Sequence, residues 1–178
     1  MARIAKYHTN SGPFLNLPAM ADGKHPEGKF CKKFARTFAD SMTSIGVGLR
    51  EFDLSGCGIA DFLWVQFTDK PMRKKEVEKI TAFEVKLKDW KKGIAQAYRY
   101  SYFADMVYLV LPEQKISSAM NNNDLFNQWG IGLYGFNEES KEYSQHIEAH
   151  DNGPRNKMVR EKALKQLSRE LNLSFSAQ

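Results

Sequence analysis

The sequence predicts an α/β fold in which a mixed central sheet is flanked by helices. Apolar residues recur at every fourth position from residue 30 onward, which is typical of a helix with one buried face. Three short apolar runs bounded by turn formers follow, and they indicate strands. A second helical segment and a continuous apolar run complete the order helix, strand, strand, strand, helix, strand. Successive strands followed by a crossover helix imply both antiparallel and parallel pairs.

The first predicted helix begins at Pro26, because proline is favoured in the first helical turn. Its apolar stripe has four-residue spacing and comprises Phe30, Phe34, Phe38 and Met42. Gly46 and Gly48 are expected to end this helix, since glycine is common just beyond a helix C-terminus.

Three strands are then predicted, at residues 47–54, 59–67 and 80–87. A glycine-rich turn joins the first two strands. The polar connection 69–75 joins the second strand to the third, and it contains four cations. These cations are Lys70, Arg73, Lys74 and Lys75. Their side chains suit contacts to the phosphates of a nucleic acid, although a solvated surface segment would have the same composition.

Helices and strands alternate in the remainder of the chain. Asp89 is the expected N-cap of a helix over 90–103, because its carboxylate can accept from a free backbone N–H of the first turn. Strands are predicted at 106–111 and 130–136. A basic amphipathic helix is predicted at 156–171. Its expected apolar side comprises Met158, Val159, Leu164 and Leu167.

Length and composition place the chain among globular proteins. Its 178 residues are enough for a domain with its own core, and 42% hydrophobic and 12% aromatic residues exclude disordered and fibrous classes. Turn formers concentrate near the start of the chain. We therefore expect a single domain over 1–178, with an irregular arm at 1–25, a core at 26–136 and a C-terminal extension at 137–178.

Charge and cysteine content bear on location and partners. No apolar run is long enough to cross a bilayer, and the first residues lack the apolar centre of a secretion signal. Cys31 and Cys57 lack metal-site spacing, so both are expected to be reduced thiols in a cytoplasmic protein. The net charge of +5 favours a polyanionic partner, although many soluble proteins are as basic.

Charged residues interrupt two of the predicted apolar strands. Glu84 and Lys86 lie two positions apart, so they share one face of a strand at a spacing of roughly 6.5 Å. Asp61 lies near the start of the preceding strand. Two carboxylates and the carbonyl of Val85 are oxygen donors of the kind that Mg²⁺ prefers. The alternative is a solvated ion pair between Glu84 and Lys86, with Asp61 capping a turn.

This arrangement resembles the PD-(D/E)xK nuclease superfamily. The family has an acidic residue on one strand and Glu/Asp-x-Lys on the next, and here these positions match Asp61 and Glu84-Val85-Lys86. Ala60 stands where the family often has proline. The resemblance covers about residues 26–136. It implies a restriction-endonuclease-like αβββαβ core, with Asp61 and Glu84 holding Mg²⁺ or Mn²⁺ and Lys86 assisting the attacking water.

The function that the resemblance implies is hydrolysis of phosphodiester bonds in nucleic acid, with DNA as the expected substrate. The expected products carry 5′-phosphate and 3′-hydroxyl ends. A homodimer is suggested by analogy with other small nucleases of this fold. Two alternatives to a nuclease stay open. The first is an inactive nucleic-acid-binding protein of the same fold. The second is an unrelated α/β binding protein whose charged residues form a surface ion pair.

Two further positions extend the resemblance. Gln96 and Tyr100 match the Gln-x-x-x-Tyr signature of RecB-like branches, which implies that Gln96 helps to position the catalytic site and that Tyr100 contacts the catalytic strand or the nucleic-acid backbone. Tyr100 is equally consistent with an ordinary packing aromatic. Glu27 matches a first-helix glutamate that often completes the family's metal site. The alternative for Glu27 is a first-turn anion that interacts with the helix dipole.

Overall fold

The structure is a computed structural model that describes residues 14–15, 25–68 and 76–171. The predicted arm at 1–25 lies outside the described residues, except for 14–15 and 25, and the basic connection 69–75 lies wholly outside them. The helices are α1 (Pro26–Ser41), α2 (Trp90–Tyr100), α3 (Ile116–Met120), α4 (Asn123–Trp129) and α5 (Lys157–Leu171). The strands are β1 (Phe14–Leu15), β2 (Gly46–Leu54), β3 (Gly58–Phe67), β4 (Val77–Val85), β5 (Met106–Pro112), β6 (Gly132–Asn137) and β7 (Glu142–Ile147).

The described strands form one mixed sheet whose spatial order follows the chain order from β1 to β7. β2, β3 and β4 form an antiparallel meander, and β4, β5 and β6 run parallel to one another. The two-residue β1 pairs with β2, and β7 pairs with β6 in the antiparallel sense. The predicted α/β class is therefore confirmed, with a mixed sheet of six longer strands flanked by helices.

Helix α1 covers one side of the sheet with an aromatic layer. The predicted stripe of Phe30, Phe34 and Phe38 is confirmed, since all three side chains are buried. The ring centroid of Phe34 lies 5.4 Å from that of Phe83 on β4 and 5.6 Å from that of Phe136 on β6. Edge-on contacts of this kind bury large apolar areas and restrict how the helix can slide. The packing holds the first turn of α1 near the carboxyl end of β4.

The opposite side of the sheet is covered by α2 to α5. Helix α2 buries Ile94, Ala97 and Tyr100 against it. The buried residues of α5 are Ala163, Leu167 and Leu171. The prediction of Met158 on the apolar side of α5 is wrong, because this side chain is 77% exposed and lies off the face set by those three positions. No described helix is long and apolar enough to cross a membrane.

Several predicted boundaries shift. Helix α1 ends at Ser41, so the expected ending at Gly46 and Gly48 is wrong. Gly46 instead begins β2, where a Cβ would come within 2.4 Å of the Trp64 ring. A larger residue would therefore separate β2 from β3. Helix α2 ends at Tyr100, because the next three residues form a turn rather than a further helical stretch.

The strand β7 and the short helices α3 and α4 are absent from the sequence-based prediction. β7 is an edge strand in which only Ile147 is buried, so it lacks an apolar run that periodicity would detect. α3 and α4 have five and seven residues, which is too short for a clear helical period. These elements enclose the region beyond the end of β5.

Candidate active site

The carboxyl end of β4 brings a carboxylate and an ammonium into contact. Glu84 is 1% exposed, and its Oε1 lies 2.7 Å from Lys86 Nζ. The strand ends at Val85, so the predicted end at residue 87 is wrong. Lys86 still continues the pairing, because its backbone N–H donates to Val110 O at 3.0 Å. The two side chains therefore meet on one side of the sheet, as strand alternation predicts.

Asp61 reaches the same place from β3. The pairing of β3 with β4 begins at Phe62, opposite Phe83, so Asp61 lies where the two strands separate. Its Oδ2 accepts a hydrogen bond from Val85 N at 2.7 Å. This bond replaces a missing ladder interaction and fixes the Asp61 carboxylate against the backbone between Glu84 and Lys86.

Glu27 in the first turn of α1 forms the outer wall of the site. Its Oε1 lies 3.2 Å from Lys86 Nζ, and its Oε2 accepts from Leu87 N at 3.1 Å. The exposed fraction of the side chain rises from 1% at Glu84 through 12% at Lys86 to 42% at Glu27. The site therefore opens to solvent on the α1 side, and its charged groups become more buried toward Glu84.

Helix α2 approaches the site closely because it carries a glycine at the point of contact. A Cβ at Gly93 would come within 2.8 Å of Lys86 Cγ and 2.7 Å of a Leu109 methyl carbon. Asp89 directly precedes the helix, and its carboxylate accepts from Lys92 N at 3.1 Å, so the predicted N-cap is confirmed. A side chain at Gly93 would displace Lys86 or the helix.

Tyr100 supports Glu84 from the last turn of α2. Its hydroxyl lies 2.5 Å from Glu84 Oε2 and 2.5 Å from Ile59 O, and either oxygen can accept its single proton. Burial and the Glu84 carboxylate raise the pKa of Tyr100, so the hydroxyl stays protonated. Tyr100 is 0% exposed. It contacts β4 through Glu84, and its side chain offers no exposed surface for the predicted contact with nucleic acid.

Gln96 lies one turn before Tyr100 and one turn after Gly93, on the helix face that meets Glu84 and Lys86. Its Oε1 is buried and has no hydrogen-bond partner among the described residues. A buried amide oxygen without a partner costs about 1–3 kcal/mol, so it is expected to be satisfied by water or a ligand. Gln96 therefore carries an unpartnered buried oxygen on the same helix as Gly93 and Tyr100.

Arg50 and Cys31 also lie near the site, and the sequence analysis gave neither of them a role there. Arg50 on β2 is 4% exposed, and its Nη2 donates to Gly28 O at 3.4 Å. Cys31 Sγ donates to Asp61 O at 3.6 Å, and burial raises the pKa of this thiol. Arg50 therefore ties the first turn of α1 to the sheet. The sequence signal that could have identified Arg50 is a charged residue within an apolar run, which is the signal that identified Glu84.

Burial and mutual repulsion shift the titration of the carboxylates. Partial burial and the nearby Glu84 raise the pKa of Asp61 to about 7. Burial also raises the pKa of Glu84, although the bonds from Lys86 and Tyr100 oppose this. Burial alone would lower the pKa of Lys86, but its bond to Glu84 and the other carboxylates outweigh that effect, so the pKa is raised. Lys86 therefore stays positively charged, whereas the negative charge of an ionised Asp61 is poorly compensated by its neighbours.

The variant Asp61→Asn is expected to be more stable than the parent at pH 8 and to lose this advantage toward pH 4. The folded state holds the Asp61 proton up to about pH 7, while the unfolded chain releases it near the ordinary value of 3.8. The parent therefore loses stability as pH rises between these values, whereas asparagine carries no such cost and still accepts from Val85 N. The gain at pH 8 should be on the order of 2 kcal/mol.

The measurement is urea unfolding from pH 4 to pH 8 in a chelator, so that no cation compensates the carboxylates. Asp53→Asn is the matched control, because Asp53 is an exposed aspartate on the neighbouring β2. Its unfolding free energy is measured at the same pH values, and Asp61→Asn should gain stability relative to this control as pH rises. An Asp61→Asn advantage of equal size at pH 4 and pH 8 would show that Asp61 is not held protonated.

The predicted nucleic-acid contacts fall into two groups. Tyr100 is buried, as described above. The other predicted contacts lie in the connection 69–75, outside the described residues. They are Lys70, Arg73, Lys74 and Lys75.

The site offers oxygen donors of the type that a hard divalent cation prefers. Glu84 Oε1, Val85 O and Glu27 Oε1 lie 2.7, 3.1 and 3.2 Å from Lys86 Nζ, so the ammonium now occupies the centre of this donor set. In the part of the chain that the structure describes, no three His, Cys, Asp or Glu side chains stand in a metal-binding arrangement. The undercompensated Asp61 and the unpartnered Oε1 of Gln96 nevertheless suit an added cation and its water.

No protein-family model, curated protein or solved structure matches the chain. The case for a function therefore rests on the residues of this site and their geometry.

Proposed function

We propose that the chain is a metal-dependent nuclease of the PD-(D/E)xK type with a restriction-endonuclease-like core. One observation carries the proposal: Asp61 lies on β3, and its carboxylate converges with Glu84 and Lys86 at the end of β4. A buried carboxylate and a partly buried one beside an ammonium are costly to maintain, and such clusters are typical of catalytic sites. The antiparallel meander and the crossover through α2 support the same core.

Each side chain has a distinct task in this proposal. Asp61, Glu84 and the Val85 carbonyl hold Mg²⁺ or Mn²⁺, and Glu27 completes the site from α1. When bound, the cation lowers the pKa of a coordinated water and stabilises charge on the phosphate. Lys86 is a hydrogen-bond donor rather than a base, because its raised pKa keeps it protonated. It orients the attacking water and stabilises the negative charge that develops on the phosphate.

Nucleic acid, and DNA in particular, is the proposed substrate. The net charge of +5 favours a polyanionic partner, and the resemblance implies products with 5′-phosphate and 3′-hydroxyl ends. Tyr100 acts indirectly, by holding Glu84 Oε2 in place. Gln96 positions the site from the same helix face.

The test combines cation binding with cleavage. Calorimetric titration with Mg²⁺ and Mn²⁺ at pH 6.5 should show binding with proton release, because Asp61 is partly protonated there and must ionise to become a ligand. Proton release is read from titrations in two buffers with different ionisation enthalpies. Cleavage is then assayed on single-stranded, duplex and branched DNA and on RNA.

The expected result is cation-dependent cleavage of at least one of these substrates. Binding of nucleic acid without cleavage in either metal would favour an inactive binding protein of the same fold. If the protein binds neither a cation nor nucleic acid, a structural role for the ion pairs around Lys86 is favoured.

A further inference from the structure

A cavity of about 460 Å³ lies directly beyond the candidate active site. It begins at Leu87, the residue after Lys86, and Trp90 in the first turn of α2 forms another part of its wall. Leu111 near the end of β5 and Ser117 on α3 contribute to the remaining wall. We call this cavity the Trp90 pocket. Its volume is within the range of small-molecule sites, and its lining is mostly apolar.

Trp90 is a rigid wall of this pocket. Its Nε1 donates to Ser118 Oγ at 3.1 Å, and its ring stacks on Phe126 with centroids 5.8 Å apart and planes inclined by 28°. The side chain is only half-buried despite these contacts. A fixed and partly open indole ring is suited to stacking against a flat aromatic ligand.

Cations surround the apolar lining. Lys115 Nζ donates to Leu87 O at 2.8 Å and keeps further donors for a ligand, and Lys88 is an exposed part of the lining. Lys91 Nζ lies 5.7 Å from the centroid of the Trp90 ring. The acidic member of the lining is Asp89, whose carboxylate is engaged in capping α2. An aromatic wall with a cationic rim matches a nucleotide, which pairs a flat base with a phosphate.

Leu87 connects the pocket to the active site. Its N–H donates to Glu27 Oε2, and its carbonyl accepts from Lys115 Nζ. A nucleotide in the pocket and a phosphate at Lys86 would therefore belong to neighbouring parts of one strand.

We propose that the Trp90 pocket binds an unpaired nucleotide of the substrate strand, and that the substrate is accordingly nucleic acid with a single-stranded segment at the cleavage point. That this strand is a substrate rests on the function proposed above, whereas binding of a nucleotide in the pocket does not depend on that function. A base within an intact duplex is stacked between its neighbours and paired with the complementary strand, so its face is not accessible to Trp90.

The first measurement is binding in the absence of metal, which does not depend on catalysis. The probe is a 5′-phosphorylated thymidine octanucleotide with a 3′-fluorescein, followed by anisotropy, and the duplex control is the same labelled strand annealed to its complement. The single strand should bind about tenfold more tightly than the duplex. In the variant Ser117→Phe, an added ring enters the pocket from an exposed position, and binding of the single strand should weaken about tenfold.

The matched control is Ser140→Phe, which adds the same ring at an exposed residue in the turn between β6 and β7. It should bind the octanucleotide as the parent does. A second measurement follows the parent protein, in which the indole N–H resonance of Trp90 should shift when the octanucleotide is added. The resonance is assigned by its absence from the spectrum of Trp90→Phe. This readout keeps the test decisive if Ser117→Phe does not fold.

The outcomes separate this proposal from the nuclease proposal. Equal binding by parent and Ser117→Phe, or an unmoved Trp90 resonance, overturns the nucleotide pocket even if duplex DNA is cleaved with Mg²⁺. Pocket-dependent binding of the octanucleotide supports the pocket, and it does so even if no nucleic acid is cleaved in Mg²⁺ or Mn²⁺. In that case the nuclease proposal alone fails.

Discussion

Replacing Lys86 with methionine is expected to reduce metal-dependent cleavage about a thousandfold while leaving cation binding intact. Methionine keeps an unbranched apolar stem against Gly93 but removes the ammonium that lies 2.7 Å from Glu84 Oε1. The ammonium competes with a cation for this oxygen, so its loss should maintain or raise the affinity for Mg²⁺. The attacking water loses its donor at the same time. Single-turnover cleavage and calorimetric titration measure the two effects separately.

Lys79→Met is the matched control. Lys79 lies on the same strand, and it also pairs with a carboxylate, that of Asp151. Its replacement should leave both cleavage and cation binding close to the parent values. Parent-like cleavage by Lys86→Met would contradict the role given to Lys86, and a loss of cation binding in that variant would mean that the lysine organises the carboxylates rather than the water.

The sequence predicts the layers of this fold because the main elements bury regular apolar patterns. The four-residue spacing of Phe30, Phe34 and Phe38 matches the aromatic layer between α1 and the sheet. β7 escapes prediction because it is an edge strand that gains its structure from pairing with β6, not from burial. Met158 shows the limit of periodicity, since a short amphipathic pattern does not determine which of two adjacent faces meets the core.

The candidate site was partly predictable for a related reason. Apolar strands exclude charge unless it is paired or used, so Glu84 and Lys86 stand out in the sequence. The contacts of Gly93 with Lys86 and of Cys31 with Asp61 depend on how α2 and α1 pack on the sheet. No local pattern encodes those distances. Tyr100 is an intermediate case, because the sequence shows its position in a motif but does not predict its complete burial.

Replacing Glu84 with glutamine is expected to weaken Mg²⁺ binding about a hundredfold and to abolish detectable cleavage, without destabilising the fold. Glutamine keeps an acceptor for Tyr100 or Lys86 but lacks the charge that a hard cation requires. Burial raises the pKa of Glu84, so removing its charge should relieve a cost of folding at neutral pH. Lys86 retains Glu27 as a partner 3.2 Å away.

This combination of lost binding and retained stability separates a catalytic carboxylate from a structural ion pair. Breaking a buried structural pair typically costs about 3–5 kcal/mol, because one charge is left without compensation. Urea unfolding of Glu84→Gln should therefore show no such loss, whereas calorimetry should show the loss of the cation. Glu78→Gln is the control on the same strand, since Glu78 is exposed and bonded to Gln66. If Glu84→Gln is strongly destabilised and still binds Mg²⁺ as the parent does, Glu84 serves the fold and the site is not a metal centre.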